Sequence, residues 1–181
     1  MRVIVFLANG FEEAEAICPI DVFRRAGLEV VIAGVGSDEI EGAHGVRIKA
    51  DTTADKADRS GWSAVFCPGG MPGAVNLAQD WNVNEILIHA ANESVVAAIC
   101  ASPAVVLAPL GLLNGKNATC YPSCAGYAPS FHFLDSGVVK DGNIITGKSA
   151  GWAFDLGLLV VESLLGKDKA EEIRKAIYYK D

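Results

Sequence analysis

Short runs of uninterrupted apolar residues alternate along the chain with stretches whose apolar positions recur every three or four residues. The runs of strand length are RVIVFLA (2–8), LEVVIAGVG (28–36), SAVFCPGG (63–70), SVVAAIC (94–100) and NATCYP (117–122). Helical spacing fills most of the intervals. Continuous rather than alternating apolar runs predict strands covered on both faces, hence an α/β fold with a doubly wound parallel sheet sandwiched by helices. A helix over 13–26 stops at Gly27, and Pro19 inside it is expected to kink it or leave one backbone bond unmade. Asn82 and Glu85 give a capping-box start to a helix over 83–91, and Pro103 opens one over 102–110. An apolar helix over 153–165 ends at Gly166, and a charged amphipathic one follows over 168–177. IEGAHGVRIKAD (40–51) reads as an antiparallel excursion at the sheet edge. VVKDGNIIT (138–146) reads as a hairpin turning on Asp-Gly in a type I′ turn.

With 181 residues, 51% hydrophobic and 20% charged, the chain can bury one substantial core, and a single domain over 1–181 is expected. A net charge of −7 opposes phosphate backbones and anionic lipid, so neither nucleic acid nor membrane is an expected partner. Met1-Arg2 runs directly into the first strand without a signal-peptide pattern, and no apolar stretch reaches about 18 residues. A cytoplasmic location follows as an expectation. Five cysteines, an odd number without export signals, are expected to be reduced.

Candidate chemistry gathers at three strand ends. Cys100 stands at a strand-to-helix corner, at the carboxyl edge where open α/β sheets bind ligands. Such a corner resembles a nucleophile elbow, whose free helix N–H groups favour a thiolate. The alternative is a small buried hydrophobe ending a strand. Gly69 and Gly70 follow another strand, and their bare backbone, with the Ala101 amide, could form an oxyanion hole; they could equally be a simple turn. In NGFEEAEA (9–16) the glutamates Glu12, Glu13 and Glu15 repel phosphate, which disfavours a dinucleotide or flavin. Glu12 and Glu13 suit a first helical turn, whereas Glu15 acquires a role only if it faces the strand ends, where burial would keep its carboxyl neutral.

NGFEEAEA (9–16), CPGGMPGAVNL (67–77), AAICASPAVVL (97–107) and SAGWAFDLGLLVVESLLGK (149–167) together resemble the ThiJ/PfpI superfamily, in its DJ-one branch, over nearly the whole chain. The resemblance implies a flavodoxin-like fold, a homodimer and no cofactor or metal. It also implies an oxidisable nucleophile at Cys100, a partner carboxylate at Glu15, and oxyanion donors at Gly70 and Ala101. The implied substrates are small reactive carbonyls, 2-oxoaldehydes such as methylglyoxal, turned into hydroxy acids without glutathione, or a deglycase reaction. Oxidative-stress sensing, or a redox-regulated chaperone role for the same cysteine, is the alternative. Gly69, Tyr121, Ser102, His44 and Cys120 are further pocket candidates, Cys120 as a resolving thiol and His44 as a residue reaching across a dimer.

The chain departs from the superfamily at several positions. Ala101 stands where protease-like members carry histidine, so a Cys-His dyad at that spacing is missing and peptidase activity is not expected. Tyr121 replaces a histidine found near the site in animal members, and Ser102 replaces a common glycine. His132 lacks the nearby glutamate that an amidotransferase needs, and His89 reads as a helix-surface residue. Cys120 and Cys124 do not match zinc spacing, and no second pair completes a site.

Overall fold

The computed structural model describes residues 1–127 and 130–180. Its centre is a seven-stranded sheet built from β1 (Arg2–Leu7), β2 (Glu29–Gly34), β5 (Thr52–Thr53), β6 (Ala64–Cys67), β7 (Val95–Ile99), β10 (Val138–Asp141) and β11 (Ile144–Gly147). The spatial order is β10-β11-β7-β6-β1-β2-β5, parallel throughout except for β10. β1, β6 and β7, in the middle, are buried almost end to end, which is why they read as unbroken apolar runs.

Helices α1 (Glu13–Arg25), α4 (Ala153–Leu165) and α5 (Lys167–Ala176) cover one face, and α2 (Gly73–Gln79) and α3 (Trp81–Glu93) cover the other. Phe23 of α1 meets Phe66 of β6 edge to face, with ring centroids 6.1 Å apart. α1 runs through Pro19 without interruption. A Cβ on Gly157 would stand 3.2 Å from the Pro19 Cα, so the bare backbone of α4 lets the two helices pack closely there. At the end of α1, Gly27 has φ +81° while Leu28 N–H donates to the Phe23 carbonyl at 3.1 Å, the expected glycine stop.

Several local expectations need correction. α3 is capped by Asp80, whose carboxylate accepts from Val83 N–H at 3.0 Å, so the helix starts before Asn82. Asn82 instead accepts from Arg59 at 2.6 Å. Residues 117–122 are not a central strand. Only β8 (Asn117–Ala118) is extended, paired with β9 (His132–Phe133) outside the main sheet. β11 already occupies the place beside β7, and residues 117 and 119 donate to the side chains of Asp141 and Thr146 instead of a backbone ladder. β3 (Glu39–Glu41) and β4 (Arg47–Lys49) form the antiparallel hairpin expected within 40–51, but as a separate two-stranded sheet. The β10–β11 loop is Gly142–Asn143, and only Gly142 has positive φ, +64°. That sign pattern belongs to a type II′ turn and not to I′. The helix expected over 102–110 is a π-helical turn, Pro103–Leu107.

Candidate active site

Numbered along the larger strands, the sheet order is the 2-1-3-4-5 arrangement whose crevice opens between β1 and β6, at the carboxyl edge. The turns after β1, β6, β7 and β11 meet at that edge. Each contributes one piece of a small polar cluster centred on Cys100.

Cys100 follows β7 with φ +63°, a left-handed conformation uncommon for a side-chain-bearing residue. Its backbone is pinned on both sides: its N–H donates to the Gly147 carbonyl at 2.9 Å, and its carbonyl accepts from Tyr121 N–H at 2.7 Å. These bonds hold the strained corner and lift the side chain out of the strand's pleat into a half-exposed position. The Glu15 carboxyl group lies beside it, with Glu15 Oε2 and the Cys100 Cβ both 2.6 Å from where a Gly69 Cβ would stand, and the amides of Gly70 and Ala101 bear on the thiol's ionisation.

Glu15 comes from the first turns of α1 and is only 1% exposed. Its carboxylate accepts from Gly69 N–H at 2.9 Å, and the Cys100 thiol and the Ala150 N–H also favour its charged form. Burial drives its pKa from 4.5 up to about 7, against the lowering effect of those bonds and with added repulsion from Glu12. Gly69 is bare because a Cβ there would lie 2.6 Å from both the Cys100 Cβ and the Glu15 Oε2. Gly70, at φ +92°, would overlap the backbone of residues 10–12 if it carried a side chain.

The expectation of a simply depressed thiol pKa is reversed. Burial, then the charge of Glu15 and its hydrogen bond, push the Cys100 thiol up, and the Gly70 and Ala101 amides pull the other way. The sulfur and the carboxyl group therefore titrate as a pair. The first proton leaves near neutrality. That proton is Glu15's, and the carboxylate it leaves helps to hold the Cys100 thiol protonated.

Of the other candidates, Gly69 belongs to the cluster through its amide. Tyr121 adjoins it by its backbone, with a side chain 47% exposed. Ser102 does not line a pocket: it is fully buried, and its hydroxyl donates to the Pro68 carbonyl at 2.6 Å, fastening the β7 corner to the β6 turn. Cys120 is also fully buried. It sits in the core that packs under α2 and α3, whereas Cys100 packs against the core on the opposite face, and burial pushes its thiol to about 12. Neither its access nor its acidity suits a resolving thiol. His44 is exposed on the β3–β4 loop, with Nδ1 2.9 Å from Glu13 and 3.4 Å from Glu12. The Glu13 hydrogen bond, then the charges of Glu12 and Glu13, raise its pKa. Glu13 also accepts from His44 N–H at 2.7 Å, so it anchors the hairpin and is not merely a dipole partner.

Ala150 was not anticipated. Its signal is the small-residue turn SAG (149–151) at the carboxyl end of β11, the counterpart of the glycine turn after β6. Among the described residues, Glu12, Glu13 and His44 bring three potential ligand atoms within 4.8 Å of one another; their ion pairing accounts for that approach. A cavity of about 780 Å³ lies between the Asn9–Gly10 turn, Pro72 and the β3–β4 hairpin, and neither Cys100 nor Glu15 lines it. No helix among the described residues is long and apolar enough to cross a membrane.

The model of the DJ-1/PfpI family matches residues 1–163. The Arabidopsis thaliana protein DJ-1 homolog B is 35% identical over 177 residues, which are 97% of this chain and 40% of the plant protein. The chain thus spans well under half the length of that relative. The Caenorhabditis elegans glutathione-independent glyoxalase DJR-1.2 is 32% identical over 169 residues, 92% of this chain and 89% of the nematode protein. The structure of oxidized Toxoplasma gondii DJ-1 superposes with a TM-score of 0.96 at 33% identity, covering 99% of both chains.

Proposed function

This chain belongs to the DJ-1/PfpI family, and from that premise we propose that it is a cofactor-independent enzyme converting 2-oxoaldehydes such as methylglyoxal to 2-hydroxy acids. One observation carries the reading: at a positive-φ corner the half-buried Cys100 sits against the buried Glu15 carboxyl group, with the amides of Gly70 and Ala101 bearing on its thiol. The name of the nematode relative supports the same class.

In this mechanism the Glu15 carboxylate takes the Cys100 proton once substrate is bound. The thiolate attacks the aldehyde carbon, forming a C–S bond, and the former carbonyl oxygen becomes an oxyanion held by the Gly70 and Ala101 amides. Glu15 gives its proton to the oxyanion; as carboxylate it then carries the hydrogen of the former aldehyde carbon to the keto oxygen, forming an enediol, and carries the hydroxyl proton of the sulfur-bearing carbon to the neighbouring carbon, giving a 2-hydroxy thioester. Water then cleaves the C–S bond, releasing the hydroxy acid and restoring the thiol. Oxygen and hydrogen balance with one water consumed, and no external redox agent enters. We place the enzyme in the cytoplasm as a homodimer.

Steady-state turnover of methylglyoxal without glutathione tests this directly. Wild type turns over, and Cys100→Ser falls at least ~1000-fold. A Cys100→Ser protein at the wild-type rate overturns the mechanism.

A second reading is favoured by the same donors, which suit the oxygens of an oxidised sulfur as well as an oxyanion; the Toxoplasma relative is described as oxidized. Here two equivalents of peroxide convert Cys100 to the sulfinic acid, each releasing water, and the modified state signals stress or switches a chaperone activity. Intact mass after mild peroxide treatment reads it: no oxygen gained at Cys100 removes this role.

A further inference from the structure

The reacting groups are carried by two units of the fold. Glu15 and Gly70 belong to the first, in which the turn after β6 is bonded to the entry of α1. Glu12 N–H donates to the Gly69 carbonyl at 3.0 Å, Gly69 N–H to the Glu15 carboxylate at 2.9 Å, and Gly73 N–H to the Gly10 carbonyl at 3.2 Å. Cys100 and Ala101 belong to the second, in which the corner is bonded to the Gly147 carbonyl and to the Tyr121 N–H. Each proposed oxyanion donor, and each member of the thiol–carboxyl pair, therefore sits on a different unit. The units are in contact: a Cβ on Gly69 would lie 2.6 Å from the Cys100 Cβ and 3.0 Å from the Ile99 carbonyl oxygen.

The sheet ladder does not extend to this level. The register of β6 with β7 ends at Cys67 and Ala98, and Pro68, the next residue, has no N–H with which to continue it. The buried Pro68 carbonyl accepts instead from the Ser102 hydroxyl, at 2.6 Å. Ser102 is 0% exposed and stands at the cap position of the Pro103–Leu107 turn, yet its side chain caps no N–H of that turn. Serine at a helix start ordinarily bonds the local backbone. Here the hydroxyl crosses to the other unit.

We propose that Ser102 is a positioning residue: by holding the Pro68 carbonyl, its hydroxyl sets the separation of the Gly70 and Ala101 amides and of Glu15 from Cys100. The inference rests on the reaction proposed above and adds to it a residue that never touches substrate. Ser102 adjoins Ala101 in the chain, and Pro68 lies two residues before Gly70, so a slip at this bond reaches both donors. Oxyanion donors act at a fixed spacing, and losing one outright costs ~100–1000-fold in rate. Loosening a pair costs less, and it falls on kcat because the bonds concerned tighten only in the transition state.

The test is kcat and KM for methylglyoxal, per folded chain, at a temperature where unfolding curves show each variant native. Ser102→Ala lowers kcat ~10–30-fold and leaves KM within ~2-fold of wild type. Ser102→Thr keeps the hydroxyl and stays within ~3-fold of the wild-type kcat even where its extra methyl lowers stability. Ser102→Cys, close in size but a weaker donor, falls between them. A merely structural hydroxyl leaves kcat per folded chain unchanged in Ser102→Ala, however much stability is lost. That result overturns the proposal and leaves the reaction intact. If Ser102→Ala does not fold, equal kcat in Ser102→Cys and Ser102→Thr overturns it in the same way. Absence of turnover by wild type overturns both the reaction and this role.

Discussion

Cys67 and Cys100 end adjacent parallel strands at the same edge of the sheet, yet their surroundings differ in every respect that matters chemically. Cys67 is the last residue of β6, paired in register with Ala98, fully buried, and raised to about 12 by burial alone. Cys100 lies one residue beyond β7, at positive φ, half-exposed, with a carboxyl group beside it and two amides bearing on its thiol. The sheet edge by itself makes no site. What separates the two thiols is a single step off the strand into a conformation that breaks the pleat and turns the sulfur toward neighbouring loops.

The sharpest way to break this contrast is to remove the carboxyl group that only Cys100 has. Glu15→Gln lowers methylglyoxal turnover ~100-fold or more, since it cannot relay a proton. Stability carries an independent signature. The folded chain holds a proton on Glu15 up to about pH 7, whereas an exposed glutamate releases it near 4.5. The neutral carboxyl's contribution is fully present below about 4.5 and is lost as pH rises through 7, so wild type becomes less stable across that window. The drop is of order 3 kcal/mol, and Glu15→Gln removes it. Denaturant unfolding at pH 5 and pH 8 measures it; parallel pH slopes in the two proteins would show that Glu15 does not hold its proton as described.

Gly69→Ala is the next, smaller perturbation. Gly69 has an ordinary backbone conformation, so its replacement acts through contact only: the new Cβ meets the Cys100 Cβ and Glu15 Oε2, both at 2.6 Å. Separating sulfur from carboxyl reduces turnover ~10-fold and costs about 1–3 kcal/mol of stability through overpacking. Turnover and thermal unfolding of the variant check both numbers. Full activity would mean that the approach of these two side chains has no part in the reaction.

Much of this arrangement was legible in the sequence because each part has a local signal. Unbroken apolar runs located β1, β6 and β7, and a cysteine followed by a proline-opened turn marked the corner. A glycine pair after β6 marked the donors. What escaped was decided by distant partners. Residues 117–122 have strand composition, but the slot beside β7 goes to β11, and no property of the segment itself reveals that competition. Asn82 has a good cap sequence, but Asp80 reaches Val83 first. Ser102 and Cys120 lie near the corner in the chain or in space, yet their side chains turn into the core, which spacing alone does not resolve. The thiol's electrostatics depended first on its own burial and then on the charge of Glu15, and position along the chain fixes neither depth.

The smallest expected effect tests the other member of the pair. Cys67→Ala deletes a fully buried sulfur from the core under α2 and α3, where no polar group addresses it. The loss is one of packing, about 1 kcal/mol of stability, with turnover within twofold of wild type. The variant also keeps Pro68, whose carbonyl receives the Ser102 hydroxyl, so the tie between the two corners survives the change. If turnover nevertheless fell tenfold or more while the unfolding free energy stayed within about 1 kcal/mol of wild type, the β6 end would be shaping the reacting centre directly. The distinction between a buried thiol and a presented one would then be insufficient to explain why only Cys100 is placed to react.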